Sequence, residues 1–385
     1  MMNKGVLENI LVLDLSRMLP GPYCSMILAD HGAEVIAIES SRFQEDGLFF
    51  NDLNRNKQHM SLNLKSAKGA EIFFELAKKA DVILEGFRPG VVKRLGVDYE
   101  SIRQVNPGIV YCSISGYGQT GPKSQEVGHD VNYLSSAGLL DLIGEKDRPP
   151  AIPGIQIADI AGGSMNAVIG ILLALLDREK SGKGQHIDIS MTDGVLGFLS
   201  LPYYFSRATG NQPERADGML SHRYGCYNTY RTEDGKYVAI GAVEHRFWAR
   251  LCAILELDHF TNLQYDEKRR TEIIAKLRKI FSSKAQKEWE RILGGEDVCF
   301  SCIRTMDEVF TCDLFIDRGM IQSYGSEDGE SDTARYGFGI PVKLSRTPGA
   351  IRSNPCGFGV HTEQILQELG YDEDEIETFR QSGVI

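Results

Sequence analysis

Two side chains able to move protons stand in segments of contrasting character. His129 lies in Gly128-His129-Asp130-Val131-Asn132-Tyr133, an irregular stretch, and Asp159 in Gln156-Ile157-Ala158-Asp159-Ile160-Ala161-Gly162-Gly163. Behind Asp159 runs a mostly apolar, helix-forming stretch, Met165 to Leu176. It ends in Asp177-Arg178-Glu179-Lys180, with Gly182 and Gly184 as stop signals. Asp159 is therefore expected at or near a helix start, where a carboxylate is favoured and backbone N–H groups have no intrahelical partner. A histidine and a carboxylate in different environments are suited to paired acid and base work. Each residue alone has a plainer reading. A lone histidine is more often structural, and an aspartate ahead of a helix is more often its cap.

Positioning such a pair requires a scaffold, and the first half of the chain supplies one. Ile10 to Leu15 reads as a buried strand, followed by a turn at Pro20-Gly21-Pro22 and a helix through Ile27 and Leu28 to Gly32. Ala33 to Glu39 is a second strand, so the unit is strand–helix–strand and implies a parallel sheet covered by helices. The pattern recurs with a helix over Lys68–Ala80 and strands at Val82–Leu84, Gly108–Ile114 and Ile187–Ser190. The fold class is α/β, a large doubly wound domain. A helix over Met191–Phe205 leads to a polar, Gly- and Pro-bearing stretch between Asn211 and Gly225, which suggests a domain crossing. Beyond it, Tyr227–Arg231 and Tyr237–Ala242 read as a hairpin turning at Asp234-Gly235. Helices follow at Arg246–Leu255, Lys268–Phe281 and Ala285–Leu293, then short strands at Cys299–Ile303 and Gly319–Tyr324. This is a smaller α+β domain, and a helical tail over His361–Gln381 covers the large one. The expected boundaries are 1–210 for the first part of the large domain, 211–330 for the small domain and 331–385 for the return.

Composition narrows the function. At 385 residues, two domains are the default. A net charge of −11 argues against general nucleic-acid affinity. No uncharged apolar stretch reaches about 18 residues, so no membrane span is expected. The start, Met1-Met2-Asn3-Lys4-Gly5, lacks the apolar core of a signal peptide, and a cytoplasmic enzyme is expected. The eight cysteines are scattered, and the lone Cys299-Phe300-Ser301-Cys302 lacks a second pair at zinc spacing. No metal site is expected. Gly116-Tyr117-Gly118-Gln119-Thr120-Gly121 spells a dinucleotide fingerprint, but Pro122 follows where a helix should open, so the match is read as accidental.

Cations recur in the first hundred positions: Arg42, Arg55, Lys57, Lys65, Arg88, Lys93 and Arg94. Several follow strands, where α/β folds place ligand crevices, and Arg and Lys suit phosphate groups. Here the residues resemble a family. Leu13-Asp14-Leu15-Ser16-Arg17 with Pro20-Gly21-Pro22, and Asp30-His31-Gly32-Ala33-Glu34-Val35-Ile36, are similar to the opening of the class III CoA-transferase superfamily. So are Glu85-Gly86-Phe87-Arg88-Pro89-Gly90, Ser115 to Pro122, and Ser181-Gly182-Lys183-Gly184-Gln185 leading into Asp188-Ile189-Ser190-Met191. Gly359-Val360-His361-Thr362-Glu363 and Glu368-Leu369-Gly370-Tyr371 extend the likeness to nearly the whole chain.

Gly128 to Tyr133 together with Asp159 resembles the α-methylacyl-CoA racemase branch. The resemblance implies His129 and Asp159 as two bases and Glu244, from the small domain, as a carboxylate that orients and charge-balances His129. It implies a CoA nucleotide held by groups resembling Arg42, Arg55, Lys65, Phe87, Arg88 and Arg94. Ser40 and Ser41 stand where many members carry an arginine. It further implies an interlocked homodimer and a reaction needing no cofactor, with coenzyme A entering as part of the substrate. Racemisation would remove the α-proton of a 2-methylacyl thioester, pass through a planar enolate and reprotonate the opposite face. Backbone N–H groups at the helix start near Asp159 are expected to stabilise the enolate oxygen. The transferase branch instead uses an aspartate matching Asp159 as a covalent nucleophile and usually lacks the histidine. A non-catalytic CoA-binding protein is the third reading.

Overall fold

Near-continuous apolar runs make the central strands, because a strand covered on both faces has no side for polar residues. β1 (Leu11–Asp14), β2 (Glu34–Glu39), β4 (Val82–Glu85) and β5 (Val110–Ser115) are of this kind. Together with β3 (Gln58–Ser61) and β6 (His186–Ser190) they form a six-stranded parallel sheet of order β3-β2-β1-β4-β5-β6. Leu13 stands opposite Ile36 on one side and Ile83 on the other. The strand order reverses between β1 and β4. The computed structural model describes residues 5–44, 51–324 and 335–385, so the start expected to lack a signal peptide falls mostly outside them.

Helices α1 (Pro20–Asp30), α2 (Ala67–Ala77) and α3 (Val91–Leu95) follow β1, β3 and β4, as crossovers between parallel strands require. The turn expected at Pro20-Gly21-Pro22 is instead the first turn of α1. Proline fits there, since the amides of a first helical turn have no partner to lose. Strand β3 has no counterpart in the expected strands. Gln58-His59-Met60-Ser61 lacks β-branched residues, and tertiary partners hold it. It pairs with β2, while His361 Nδ1 and Thr362 Oγ1 accept its other amides, of His59 and Ser61, both at 3.0 Å. The returning chain thus covers an edge that would otherwise be open.

After β5 come α4 (Asp130–Ser136), a π-helical segment (Ala158–Met165) and α5 (Asn166–Ser181). The run Ala158–Ser181 is, by length and composition, long and apolar enough to cross a membrane. Its inner face, Ala167, Ile171, Ala174 and Leu175, is buried. The helix expected over Met191–Phe205 begins as α6 (Met191–Leu196) and breaks at Gly197.

The chain divides into two compact units. One comprises Met1–Leu139, Pro153–Phe198 and Ile316–Ile385, the other Leu140–Ile152 and Leu199–Phe315. The expected boundaries, 210 and 330, lie later in the chain. In the second unit β7 (Tyr227–Arg231) and β8 (Tyr237–Gly241) form the expected hairpin, with Gly235 at φ 80° in its turn. Helices α7 (His245–Ile254), α8 (Arg270–Phe281) and α9 (Gln286–Leu293) precede β9 (Phe300–Cys302), which joins that hairpin. Tyr230, Trp248, Phe281 and Trp289 centre its core. Back in the first unit, β10 (Ile321–Tyr324) pairs with β11 (Arg335–Phe338). Helices α10 (Thr362–Glu368) and α11 (Glu373–Gln381) then place Leu366 and Phe379 in the core of Leu13, Phe73 and Ile83.

Candidate active site

All six strands of the large sheet end at one edge, and candidate ligand groups follow them there. Arg42 follows β2, Lys65 follows β3, Phe87 and Arg88 follow β4, and Arg94 lies on α3. The four cations are exposed, and Phe87 is half-buried against the core. Open α/β sheets leave their crevice outside the carboxyl ends of strands, where the strand order reverses. A small cleft, with about 20 Å³ of water-accessible space, opens beside Asp14, Ser16, Arg17, Glu39 and His59. Near it the guanidinium groups of Arg17 and Arg42 lie 3.6 and 4.1 Å from the ring centre of Phe43.

Arg55, expected among the ligand contacts, is turned inward and only 4% exposed. Its Nε and Nη2 donate to the two oxygens of Asp30 at 3.0 and 2.6 Å, and Nη1 donates to the Phe338 carbonyl. A guanidinium occupied in this way is a buried structural ion pair, so the expected CoA contact at Arg55 is corrected. Its place in the chain explains this: Arg55 precedes β3, whereas the exposed cations follow strands. Lys57 is buried too. Its Nζ donates to the Pro22 carbonyl at 2.8 Å, and burial pulls its pKa down to about 8 against the raising effect of Asp14.

Glu85 closes β4 and is buried. Its Oε2 accepts the Phe87 N–H at 2.7 Å, which holds the turn carrying Phe87 and Arg88. Burial raises Glu85 to about 7, opposed by hydrogen bonds from Ser113 and Phe87. After β5, the glycine-rich Gly116–Gly121 opens no helix, and Gly118 and Gly121 adopt positive φ. Both Asp188 oxygens accept the Gln119 N–H at 3.0 Å, so this stretch is a tethered loop rather than a dinucleotide turn.

His129 immediately precedes α4 and is exposed. Its backbone N–H donates to Asn132 Oδ1 at 3.0 Å, and its carbonyl accepts the Asn132 N–H at 2.8 Å. The Tyr133 hydroxyl donates to the Gly128 carbonyl at 2.5 Å. A Cβ on Gly116 or Gly128 would fall 2.4 or 2.8 Å from the Tyr133 ring, so both positions exclude larger residues. Tyr133 thereby anchors the peptide that leads into His129.

Asp159 lies in the first turn of the π-helical segment and is half-buried. Wide turns of this kind are frequent at functional sites. Burial raises the Asp159 pKa to about 6, with Asp130 adding to the rise and His129 opposing it. A carboxyl group so placed can hold or release a proton close to neutral pH.

The two segments are joined by Asp130. Its Oδ1 accepts the N–H of Ala158 at 2.6 Å and that of Asp159 at 3.0 Å. This corrects the expectation that amides at this helix start receive an enolate oxygen, because two of them already donate to Asp130. The Ile160 N–H is also occupied, by the Gln156 carbonyl at 3.1 Å. Sequence reading assigned no role to Asp130, Tyr133 or Glu85. The only signal for Asp130 is its place next to His129, which does not say whose amides it takes.

Glu244 belongs to the second unit. It is exposed and caps α7, its carbonyl accepting the N–H groups of Phe247 and Trp248 at 3.0 and 3.2 Å. Gln264 and Tyr265 donate to the preceding Val243 carbonyl at 2.7 and 2.5 Å, fixing the approach to that cap.

Comparison with known proteins adds relatives of two activities. The chain is 34% identical over 383 residues to alpha-methylacyl-CoA racemase from Homo sapiens, covering 98% of this chain and 97% of that one. It is 31% identical over 398 residues to succinyl-CoA:glutarate CoA-transferase from Mus musculus, covering 98% and 90%. Among solved structures, a CAIB/BAIF family protein from Brucella suis matches with a TM-score of 0.82 at 28% identity, over 95% of this chain and all of that one. With residues 7–362 matching it as a single span, the chain belongs to CoA-transferase family III.

Proposed function

We propose that the protein interconverts the epimers of a 2-methylacyl-CoA thioester at the α-carbon. One base removes the α-proton, the thioester carries the charge as an enolate, and the conjugate acid of the second group protonates the opposite face. His129 and Asp159 are the two groups. The observation that carries the reading is the Asp130 bridge, which ties the peptide after His129 to the amide of Asp159. The likeness to racemases over almost the full chain supports it. Glu244 keeps the role that the resemblance gives it, as the carboxylate balancing an imidazolium. The CoA moiety is proposed to lie along the strand-end cations Arg42, Lys65, Arg88 and Arg94 and the Phe87 ring. No cofactor beyond the substrate's own CoA enters this reading, nor do nucleic acids or membranes, and the reaction is placed in the cytoplasm.

Likeness to CoA-transferases favours a second reading, in which Asp159 attacks a thioester and forms a covalent intermediate. One experiment separates the two. A single epimer of a 2-methylacyl-CoA is incubated in D2O with no acceptor acid. The racemase reading expects deuterium at the α-carbon and a mixture of epimers by proton NMR. CoA exchange that requires an added acid, with an Asp159 acyl adduct trapped by hydroxylamine, would establish the transferase instead.

A second copy of the chain is proposed as partner. Ile169, Leu172, Leu173 and Leu176 on α5, with Leu196 and Phe198 beyond it, are exposed. The four on α5 share one helix face by their i, i+3, i+4 and i+7 spacing, and an apolar face of this kind is expected to be covered. Sedimentation should report twice the mass of one chain. A monomer at micromolar concentration would remove this part of the proposal.

A further inference from the structure

Asp130 lies between the two proposed bases without being one of them. Its residue number puts it at the first position of α4, while its carboxylate reaches the start of another helical segment. There Oδ1 receives two amides, from Ala158 at 2.6 Å and Asp159 at 3.0 Å. A carboxylate at a helix start is favoured by the partial positive charge of unpaired N–H groups. The contact therefore has a reason to persist when no substrate is bound. Ala158 is fully buried, so its amide has no water to turn to if Asp130 is lost. The bond spans 28 residues of chain and 29 to Asp159 itself, which makes it a tertiary tie rather than a local cap.

We propose that Asp130 is a positioning residue which sets the placement of the Asp159 backbone relative to His129 and brings a second carboxylate up to Asp159. The proposal rests on the racemase reading for its effect on turnover, but not for its effect on Asp159. Asp130, His129 and Tyr133, at the start of α4, act electrostatically with Asp159. Of the other elements packed against the π-helical segment, α6 carries Asp193 and β6 carries Asp188. Second to burial, the negative charge of Asp130 opposes ionisation of Asp159. Its removal should make Asp159 a stronger acid and a weaker base.

The test uses Asp130→Asn, whose amide oxygen can still accept both N–H groups while the charge is gone. The Asp159 carboxyl is followed by 13C NMR in ligand-free protein and identified by its loss in D159N. The expected result is a titration midpoint in D130N below that of the wild-type protein. In turnover, the limb of the pH profile that D159N abolishes should move down with it. The protonated fraction at neutral pH should fall about tenfold for each pH unit of that movement. A residue that served the fold alone would lower melting temperature and leave the midpoint in place. Coincident midpoints in wild type and folded D130N would overturn the proposal. If D130N does not fold, Asp130→Ser offers an uncharged oxygen to the same amides, and the same criterion applies. Failure of the racemase reading would show separately, as a wild-type protein that exchanges no α-proton without an acceptor.

Discussion

Replacing His129 with Ala should lower full racemisation by at least about a hundredfold, the low end for loss of a general acid–base group. If His129 and Asp159 serve opposite faces of the α-carbon, each takes the proton from one epimer only. In H129A one epimer should still exchange its α-hydrogen with D2O without inversion, since Asp159 can return a deuteron to the face it came from. Asp159→Asn should show the mirror pattern. The measurement is α-deuterium uptake and epimer ratio, started separately from each pure epimer. Near-wild-type racemisation by either variant would refute the two-base assignment. Equal loss of exchange from both epimers would point to one shared base. The structure sharpens the expectation for Asp159, whose pKa burial raises to about 6. The protonated form is then a minor but accessible species at neutral pH, and conversion of the epimer whose product face Asp159 protonates should slow as pH rises and that form is depleted.

The second large effect is on stability. Arg55→Ala removes the cationic partner of a buried carboxylate and leaves Asp30, 2% exposed, with the Asn56 Nδ2 hydrogen bond but no guanidinium. Breaking a buried pair from one side costs roughly 3–5 kcal/mol, because the remaining charge stays desolvated and uncompensated. The urea midpoint should fall accordingly. Arg88→Ala is the contrasting variant. Arg88 is exposed after β4, so its loss should weaken CoA binding and leave the urea midpoint close to wild type. Both are read by urea unfolding and by CoA titration of the folded protein. Weaker CoA binding in R55A at unchanged stability would restore Arg55 to the ligand site.

These two residues show why reading cations from sequence succeeds unevenly. Arg55 and Arg88 are the same side chain, and both lie near the expected crevice in sequence order. What separates them is whether a strand precedes or follows, and β3 was not legible. Gln58-His59-Met60-Ser61 has no strand pattern of its own and is held by β2 and by His361 and Thr362 from the far end of the chain. Local propensity cannot report a partner some 300 positions away.

Sequence by itself determined the alternation of apolar strands and amphipathic helices, and hence the parallel sheet, the hairpin of the second unit and the helical start near Asp159. Periodicity and glycine placement are local properties, and a single chain displays them directly. It also determined that a histidine and an aspartate are available in motifs resembling one family. The tertiary structure alone decided which polar groups are occupied. The amides expected to receive an enolate are taken by Asp130, the arginine expected to hold a nucleotide is taken by Asp30, and glycine at 116 and 128 is required by the Tyr133 ring. Burial and hydrogen bonding depend on which distant segments meet. The same meeting, through burial first and Asp130 second, raises the proton affinity of Asp159.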